Sequence, residues 1–328
     1  MKAFVLRSYG APDMLELTDV DRPAPADHEV LVRVRATSVQ PFDWHLMRGE
    51  PRVARLMPGG LGLRRPKVAI LGADVAGEVE AVGRAVTAFR PGDEVYGMPK
   101  GGGFAEYVCV PEGELAPKPP SLSFEQAAAV PLAAGTALLG LRDQADVRPG
   151  QQVLVNGASG GVGTFAVQIA RALGARVTAV CGPRNVDLVR SIGADEVVDY
   201  SVQDFTRAGR HYDVLLDVAG GRPVSAGRRV LARRGTYVAV GGPAGRWLQP
   251  AGHVFAALAM SPFVSQKMTS VDVINSPDTR RTLLALTEFI EAGQVTPVIG
   301  RSYCFAEIPA AIAYQEQGHA PGKVVITV

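Results

Sequence analysis

The chain has 328 residues, 47% of them hydrophobic, and a formal net charge of +2. That length and apolar content exclude a disordered chain or one small core, and point to about two soluble globular domains. A charge so near neutral supplies no field to hold nucleic acid, and the Arg228-Arg229 and Arg233-Arg234 pairs read as solvated faces. Cys109, Cys181 and Cys304 form no Cys-x-x-Cys pair, so neither a disulfide framework nor a zinc knuckle is expected, and a reducing compartment fits. Met1 to Arg7 reads as a first strand, charged too early for a secretory segment. The apolar stretch 254–264 is broken by Ser261-Pro262 and is too short to span a bilayer, so a cytoplasmic protein without a membrane span is expected.

In chain order, residues 1 to about 118 show short β-rich runs between Gly and Pro, among them 29–36, 74–82 and 104–110, which predicts a mainly β domain. After Gln40-Pro41, residues 42–47 read as a helical turn started by the proline. Residues 52–66 lack a period and are rich in Gly, Pro and Arg, the composition of a mobile loop. Ser123 and Gln126 form a capping box before an alanine-rich helical region that runs past Pro131 toward Arg142. From about 151 to 243, strand-like runs at 152–155, 176–180, 196–198, 213–218 and 236–240 alternate with amphipathic helices. That alternation predicts an α/β fold, a doubly wound parallel sheet covered on both faces. A strand near 269–274, helices at 279–292 and 306–317, and a strand at 323–328 follow, the last placed to return to the first domain.

Val153-Leu154-Val155 leads into Gly157, Gly160 and Gly163, and then an apolar-periodic helix up to Gly174. Strand, glycine turn and helix in this order bring main chain close to a pyrophosphate, which then faces the positive helix end. Ser159 either donates to phosphate or simply forms the turn. The end of the next strand reads Val180-Cys181-Gly182-Pro183-Arg184-Asn185, without the carboxylate that would bind an unmodified ribose. Arg184 suits a 2′-phosphate and therefore NADP(H); its plainer reading is an exposed residue at a helix start. Tyr200 is either a stacking ring for adenine or ribose, or a partly buried tyrosine. Ala219, before Gly220-Gly221, and Gly241, before Gly242, follow later strands and are expected to wall the nicotinamide site.

Four further stretches join these: Gly72-Ala73-Asp74-Val75-Ala76-Gly77-Glu78-Val79, Pro91-Gly92-Asp93-Glu94-Val95, Gly101-Gly102-Gly103-Phe104-Ala105-Glu106-Tyr107, and Ala320-Pro321-Gly322-Lys323. With them the chain resembles, over nearly its whole length, the zinc-free, quinone-oxidoreductase branch of the medium-chain dehydrogenase/reductase superfamily. The stretches 180–189 and 193–200 are similar to the group containing the reticulon-4-interacting, NADPH-dependent reductases. The resemblance implies a GroES-like β domain from residues 1–120 with 275–328, and a Rossmann domain at 121–274. It also implies a cofactor in the interdomain cleft and a homodimer. Ser159, Gly161, Val162, Gly182, Tyr200, Gly322 and Lys323 fall at its cofactor positions, with Gly160 and Asn185 beside them in the two turns. Thr136 matches a threonine that reaches the nicotinamide, unless it only caps a helix. Where zinc-dependent relatives place metal ligands, this chain holds Gln40, Gly72-Ala73-Asp74 and residues 131–135, so no metal site is expected.

Without a metal, hydride must go to an acceptor that is already electrophilic, a quinone or an α,β-unsaturated carbonyl. Gln40, His45 and Tyr96 are the candidate donors to its developing negative charge. His45 stands where some relatives carry a tyrosine, although a lone histidine is as readily a structural residue. Asp43 fits the family's Asn-Pro-x-Asp-like pattern, with Gln40 in place of the Asn, or caps the short helix. The expected activity is NADPH-dependent reduction of such an acceptor. An enoyl-thioester reductase and a weakly catalytic NADPH-binding sensor or interaction protein are the alternatives.

Overall fold

The computed structural model describes residues 1–56, 61–207, 209–243 and 245–328. The chain opens with β1 (Lys2–Leu6), β2 (Leu15–Asp19), β3 (Glu29–Val39), α1 (Pro41–Arg48), β4 (Asp74–Val82), β5 (Glu94–Gly97), β6 (Tyr107–Pro111), β7 (Leu115–Pro117) and α2 (Phe124–Ala128). Next come α3 (Pro131–Leu138), β8 (Gln152–Asn156), α4 (Gly161–Ala172), β9 (Arg176–Cys181), α5 (Val186–Ser191), β10 (Glu196–Asp199), β11 (Tyr212–Asp217), α6 (Val224–Arg228), β12 (Leu231–Ala239), α7 (Ala251–Met260) and β13 (Lys267–Ser270). α8 (Thr279–Glu291), β14 (Ile299–Cys304), α9 (Ile308–Glu316) and β15 (Lys323–Thr327) follow.

Two compact units divide the chain. The first is Met1–Leu132 with Ile274–Glu291 and Pro297–Val328; the second is Ala133–Val273 with Ala292–Thr296. The division falls at Leu132 instead of 120 because α2 packs on β3 and β4, and the Leu132 N–H donates to Asp74. Residues 292–296 go with the second unit, where Gln168 and Thr296 exchange hydrogen bonds of 2.8 and 3.0 Å.

The first unit is a mixed sheet in the order β14-β15-β3-β4-β5-β7, with β6 also on β3 and a β1-β2 hairpin beside it. The tail strand β15 is interior, parallel to β14 and antiparallel to β3, with Val324 opposite Val39. Val30, Val32, Val75, Val95 and Val110 fill one core; Phe4, Met47, Phe104, Ile312 and Val324 fill another. α1 starts at Pro41, with the Gln40 N–H donating to Asp43 Oδ2 at 2.7 Å, and ends at Gly49 in the left-handed region.

The second unit is a wholly parallel six-stranded sheet in the order β10-β9-β8-β11-β12-β13. Its central strands are apolar along their length because helices cover both faces. The order reverses between β8 and β11, and ligands of such sheets bind beyond the strand ends at that point. The strand expected at 269–274 lies earlier, at Lys267–Ser270, in register with Thr236 to Ala239 of β12. The expected helix at 306–317 is a short 3-10 turn followed by α9, restarted at Pro309. Of the loop expected at 52–66, Arg52–Arg55 is a 3-10 turn, and residues 57–60 lie outside the described residues.

Candidate functional site

In the second unit, β8 delivers the chain to the glycine turn. Gly157 has a φ of 87°, and a Cβ on Gly163 would sit 2.1 Å from the Gly157 carbonyl oxygen. Only glycine lets α4 begin so close to the turn. No side chain caps α4 at Gly160, so the first-turn N–H groups, beginning with Gly161 and Val162, and the helix dipole favour an anion there. Asn185 Nδ2 donates to Ser159 Oγ at 3.2 Å, tying the turn after β9 to the glycine turn. A Cβ on Gly182 would meet Tyr200 Oη at 3.0 Å, so the bare glycine leaves room for that ring, which is 48% exposed. Arg184 is exposed and joins no ion pair among the described residues. Ser159, Gly160, Gly161, Val162, Gly182, Arg184, Asn185 and Tyr200 thus gather at the carboxyl ends of β8, β9 and β10, a cradle that fits a dinucleotide.

The walls expected at Ala219 and Gly241 are close-packed. A Cβ on Gly157 would meet Ala219 Cβ at 3.1 Å, and one on Gly241 would lie 2.3 Å from the Val218 carbonyl oxygen. Thr136 is buried on α3. Sequence reasoning missed the group behind these walls. Asp217, ending β11, accepts from Asn156 Nδ2 at 2.7 Å and the Gly220 N–H at 2.9 Å through Oδ1, and from Tyr237 Oη and His253 Nε2 (3.0 Å) through Oδ2. Burial alone would raise its pKa, but the bonds from His253, Tyr237, Asn156 and Gly220 outweigh it and hold the carboxyl below its ordinary value. The available signal was an acidic residue closing an apolar strand just before Gly220-Gly221.

In the first unit, Asp74 at the start of β4 is fully buried. Its Oδ2 accepts from Ser38 Oγ at 2.6 Å and from Gln40 Nε2, with Lys323 Nζ at 3.4 Å; Oδ1 accepts from the Leu132 N–H at 2.8 Å. Asp43 beside it accepts from the Gln40 and Gly72 N–H groups. Burial, with the Asp74 charge adding to it, pushes the Asp43 carboxyl up to about 7.

Lys323 was expected to touch phosphate or ribose, yet it is 2% exposed and its ammonium is turned to Asp74. The physical reason is that β15 is interior, and a carboxylate buried beside it demands a counter-charge. Gly322, just before it, has a φ of 58°, and a Cβ there would lie 2.3 Å from the Val298 carbonyl oxygen. Gln40 gives its amide hydrogens to Ser38 and Asp74. His45 stacks on Trp44 with ring centroids 3.6 Å apart, and its Nδ1 is buried without a hydrogen-bond partner. Burial pushes its pKa down to about 4, so the imidazole is neutral at pH 7. Tyr96 is fully buried and its hydroxyl donates to the Leu283 carbonyl at 2.7 Å, with Thr287 Oγ1 at 3.0 Å. Gln40 is therefore brought together with Asp74 and Lys323, whereas no described hydrogen bond joins His45 or Tyr96 to that cluster.

Where zinc-dependent relatives place metal ligands, the donors present do not fit a metal: Ala73 has no ligating atom, and Gln40 and Asp74 bond each other. Among the described residues no group of three or more His, Cys, Asp or Glu is arranged to hold a metal ion. Likewise, no helix is long and apolar enough to cross a membrane.

A mixed β unit with a doubly wound parallel unit bearing a glycine turn defines a dinucleotide-dependent dehydrogenase or reductase. Residues 26–120 match the family of the Alcohol dehydrogenase GroES-like domain, and residues 192–326 match that of Zinc-binding dehydrogenase. The chain is 34% identical to the NAD(P)H oxidoreductase RTN4IP1, mitochondrial, of Mus musculus, over 100% of this chain and 89% of that protein. It is 32% identical to the chloroplast envelope quinone oxidoreductase homolog of Arabidopsis thaliana, over 99% of this chain and 98% of that protein. The solved quinone oxidoreductase from Coxiella burnetii matches with a TM-score of 0.86 at 28% identity, covering 100% of this chain and 99% of that one. The chain belongs to the quinone oxidoreductase-like branch of the medium-chain dehydrogenase/reductase superfamily, and is an oxidoreductase that uses a nicotinamide cofactor.

Proposed function

We propose that the protein is an NADPH-dependent, metal-independent reductase of quinones or α,β-unsaturated carbonyls. The observation that carries the choice of cofactor is Arg184, exposed and without an ion pair among the described residues, beside the Ser159–Asn185 hydrogen bond. A guanidinium there meets a 2′-phosphate with a charge-assisted fork, where a carboxylate would repel it. The bound cofactor supplies hydride. Ser159, Gly160, Gly161 and Val162 hold its pyrophosphate, Gly182, Asn185 and Tyr200 its adenosine end, and Thr136, Ala219 and Gly241 its nicotinamide. The Lys323 ammonium is engaged by Asp74 and its N–H by the Val298 carbonyl at 2.8 Å, so neither is offered to the cofactor.

Gln40 remains the candidate donor to the acceptor oxygen and would have to release Ser38 or Asp74 to act. Neutral His45 can donate only a ring N–H, and Tyr96 serves by anchoring α8. Reduction of such acceptors breaks no bond that needs an acid, so the product anion takes its proton from water. The same reading includes a homodimer, supported by the sheet edge at β13 and exposed Phe255, Leu258 and Phe263 on the neighbouring segment. It also includes a cytoplasmic setting, which suits three free cysteines.

The test is cofactor oxidation followed by absorbance across quinones, enones and enoyl thioesters, with NADPH and NADH compared in wild type and Arg184→Ala. We expect turnover of quinones or enones and loss of the NADPH preference by about tenfold in the variant. An unchanged preference overturns the assignment of Arg184, turnover of enoyl thioesters alone moves the substrate class, and NADPH binding without any turnover favours a sensor.

A further inference from the structure

Behind the proposed nicotinamide walls, one carboxylate joins four separate segments. Asp217 Oδ1 takes the Asn156 amide, from the last residue before the glycine turn, and the Gly220 N–H of the loop after β11. Its Oδ2 takes Tyr237 Oη from β12 and His253 Nε2 from α7. Asp217, Asn156, Tyr237 and His253 are all buried. An ionised carboxylate is acceptor-only, so His253 must carry its proton on Nε2, and four donors fill the sites that Asp217 offers.

The loops tied in this way are packed against one another. A Cβ on Gly220 would lie 2.4 Å from Gly242 Cα, and one on Gly242 would lie 2.9 Å from His253 Cβ. The Val218 N–H also donates to the Asn156 carbonyl at 3.0 Å. Moving any one of these elements therefore moves the others.

We propose that Asp217 is a positioning residue for the nicotinamide end of the cofactor, setting the spacing of the 218–221 loop and the 241–242 loop without touching the cofactor. The inference rests on the functional reading above, since it takes those loops as the nicotinamide walls. Ser159 at the pyrophosphate, and Arg184 and Tyr200 at the adenosine end, lie outside the Asp217 hydrogen-bond set.

The test compares two probes on the full-length protein: NADPH, and 2′,5′-ADP, which has the adenosine end and no nicotinamide. In Asp217→Asn the new amide sets its hydrogens against donors. We expect 2′,5′-ADP affinity to stay within about twofold of wild type, NADPH affinity to fall about tenfold, and kcat to fall by about tenfold or more. Tyr237→Phe keeps the carboxylate and the packing, and is read the same way with a smaller, roughly threefold NADPH-selective loss; it decides the matter if Asp217→Asn does not fold. Equal losses for both probes, or no loss for either, overturn the inference. Wild-type protein that binds neither probe overturns the functional reading instead, before any variant is made.

Discussion

Asp74 in the first unit and Asp217 in the second are both buried carboxylates at a strand end, and they are satisfied by different means. Asp74 has the Lys323 ammonium, two side-chain donors and one N–H. Asp217 has an amide from β8, a phenol from β12, an imidazole from α7 and a backbone N–H from the loop after β11. The first arrangement closes a core with a counter-charge. The second lets satisfaction of one charge fix the positions of mobile kinds of structure, namely loops. A carboxylate bound by one loop N–H and by side chains of two strands and a helix converts an electrostatic requirement into the placement of that loop against them.

Removing the counter-charge is the strongest way to break this comparison. Lys323→Met leaves Asp74 buried without a cation and should cost about 3–5 kcal/mol of stability in urea unfolding. Adding Asp74→Asn to it should recover most of that loss; a double variant as unstable as the single one would show that the lysine acts by packing and not by charge.

Asp43 comes next. Its folded pKa of about 7 stands above an ordinary 3.8, so the folded state holds a proton that the unfolded chain releases between those values. Its contribution is full below pH 3.8 and is lost as the pH rises to about 7, on the order of 4 kcal/mol over the window. Asp43→Asn should flatten that decline in melting temperature across pH. His45, held down at about 4 from 6.5, has the opposite slope over its own window, gaining stability as pH rises from 4 to 6.5, so His45→Gln should steepen the Asp43 decline. Asp217, with its pKa lowered, contributes stability above pH 3.8 that is lost as pH falls through its folded value. The two units therefore carry carboxylates of opposite pH sign.

Tyr237→Phe should cost about 1–2 kcal/mol in the same unfolding assay, because one donor to a buried charge is lost while the packing remains. Smallest is Gly182→Ala. The backbone there has a φ of −82°, which alanine accepts, but its Cβ would press on Tyr200 Oη. We expect NADPH affinity to fall on the order of threefold with stability unchanged; an unaffected affinity would place Tyr200 outside the cofactor site.

Legibility differed between the units in the same way. The second unit's strands and glycine turn were readable within a residue or two at β8, β9, β10 and β11, because each signal is local: an apolar run, glycines at fixed spacing, and an Arg where a carboxylate would otherwise stand. In the first unit, Gln40, His45, Tyr96 and Lys323 were visible as candidate residues, but their partners lie far off in sequence. Lys323 meets Asp74 across 249 positions, and Tyr96 meets Leu283 across 187. Chain pattern carries no information on which distant polar atoms will share a dry interior.

By itself the sequence determined the α/β class and the strand, glycine turn and helix at β8 and α4, since backbone propensity and short-range spacing set those. Only the tertiary structure decided that Lys323 faces inward, that Tyr96 anchors α8, and that Asp217 gathers Asn156, Tyr237 and His253. The reason is desolvation: a polar group's role depends on which partners remain once water is excluded, and that is settled when the elements pack.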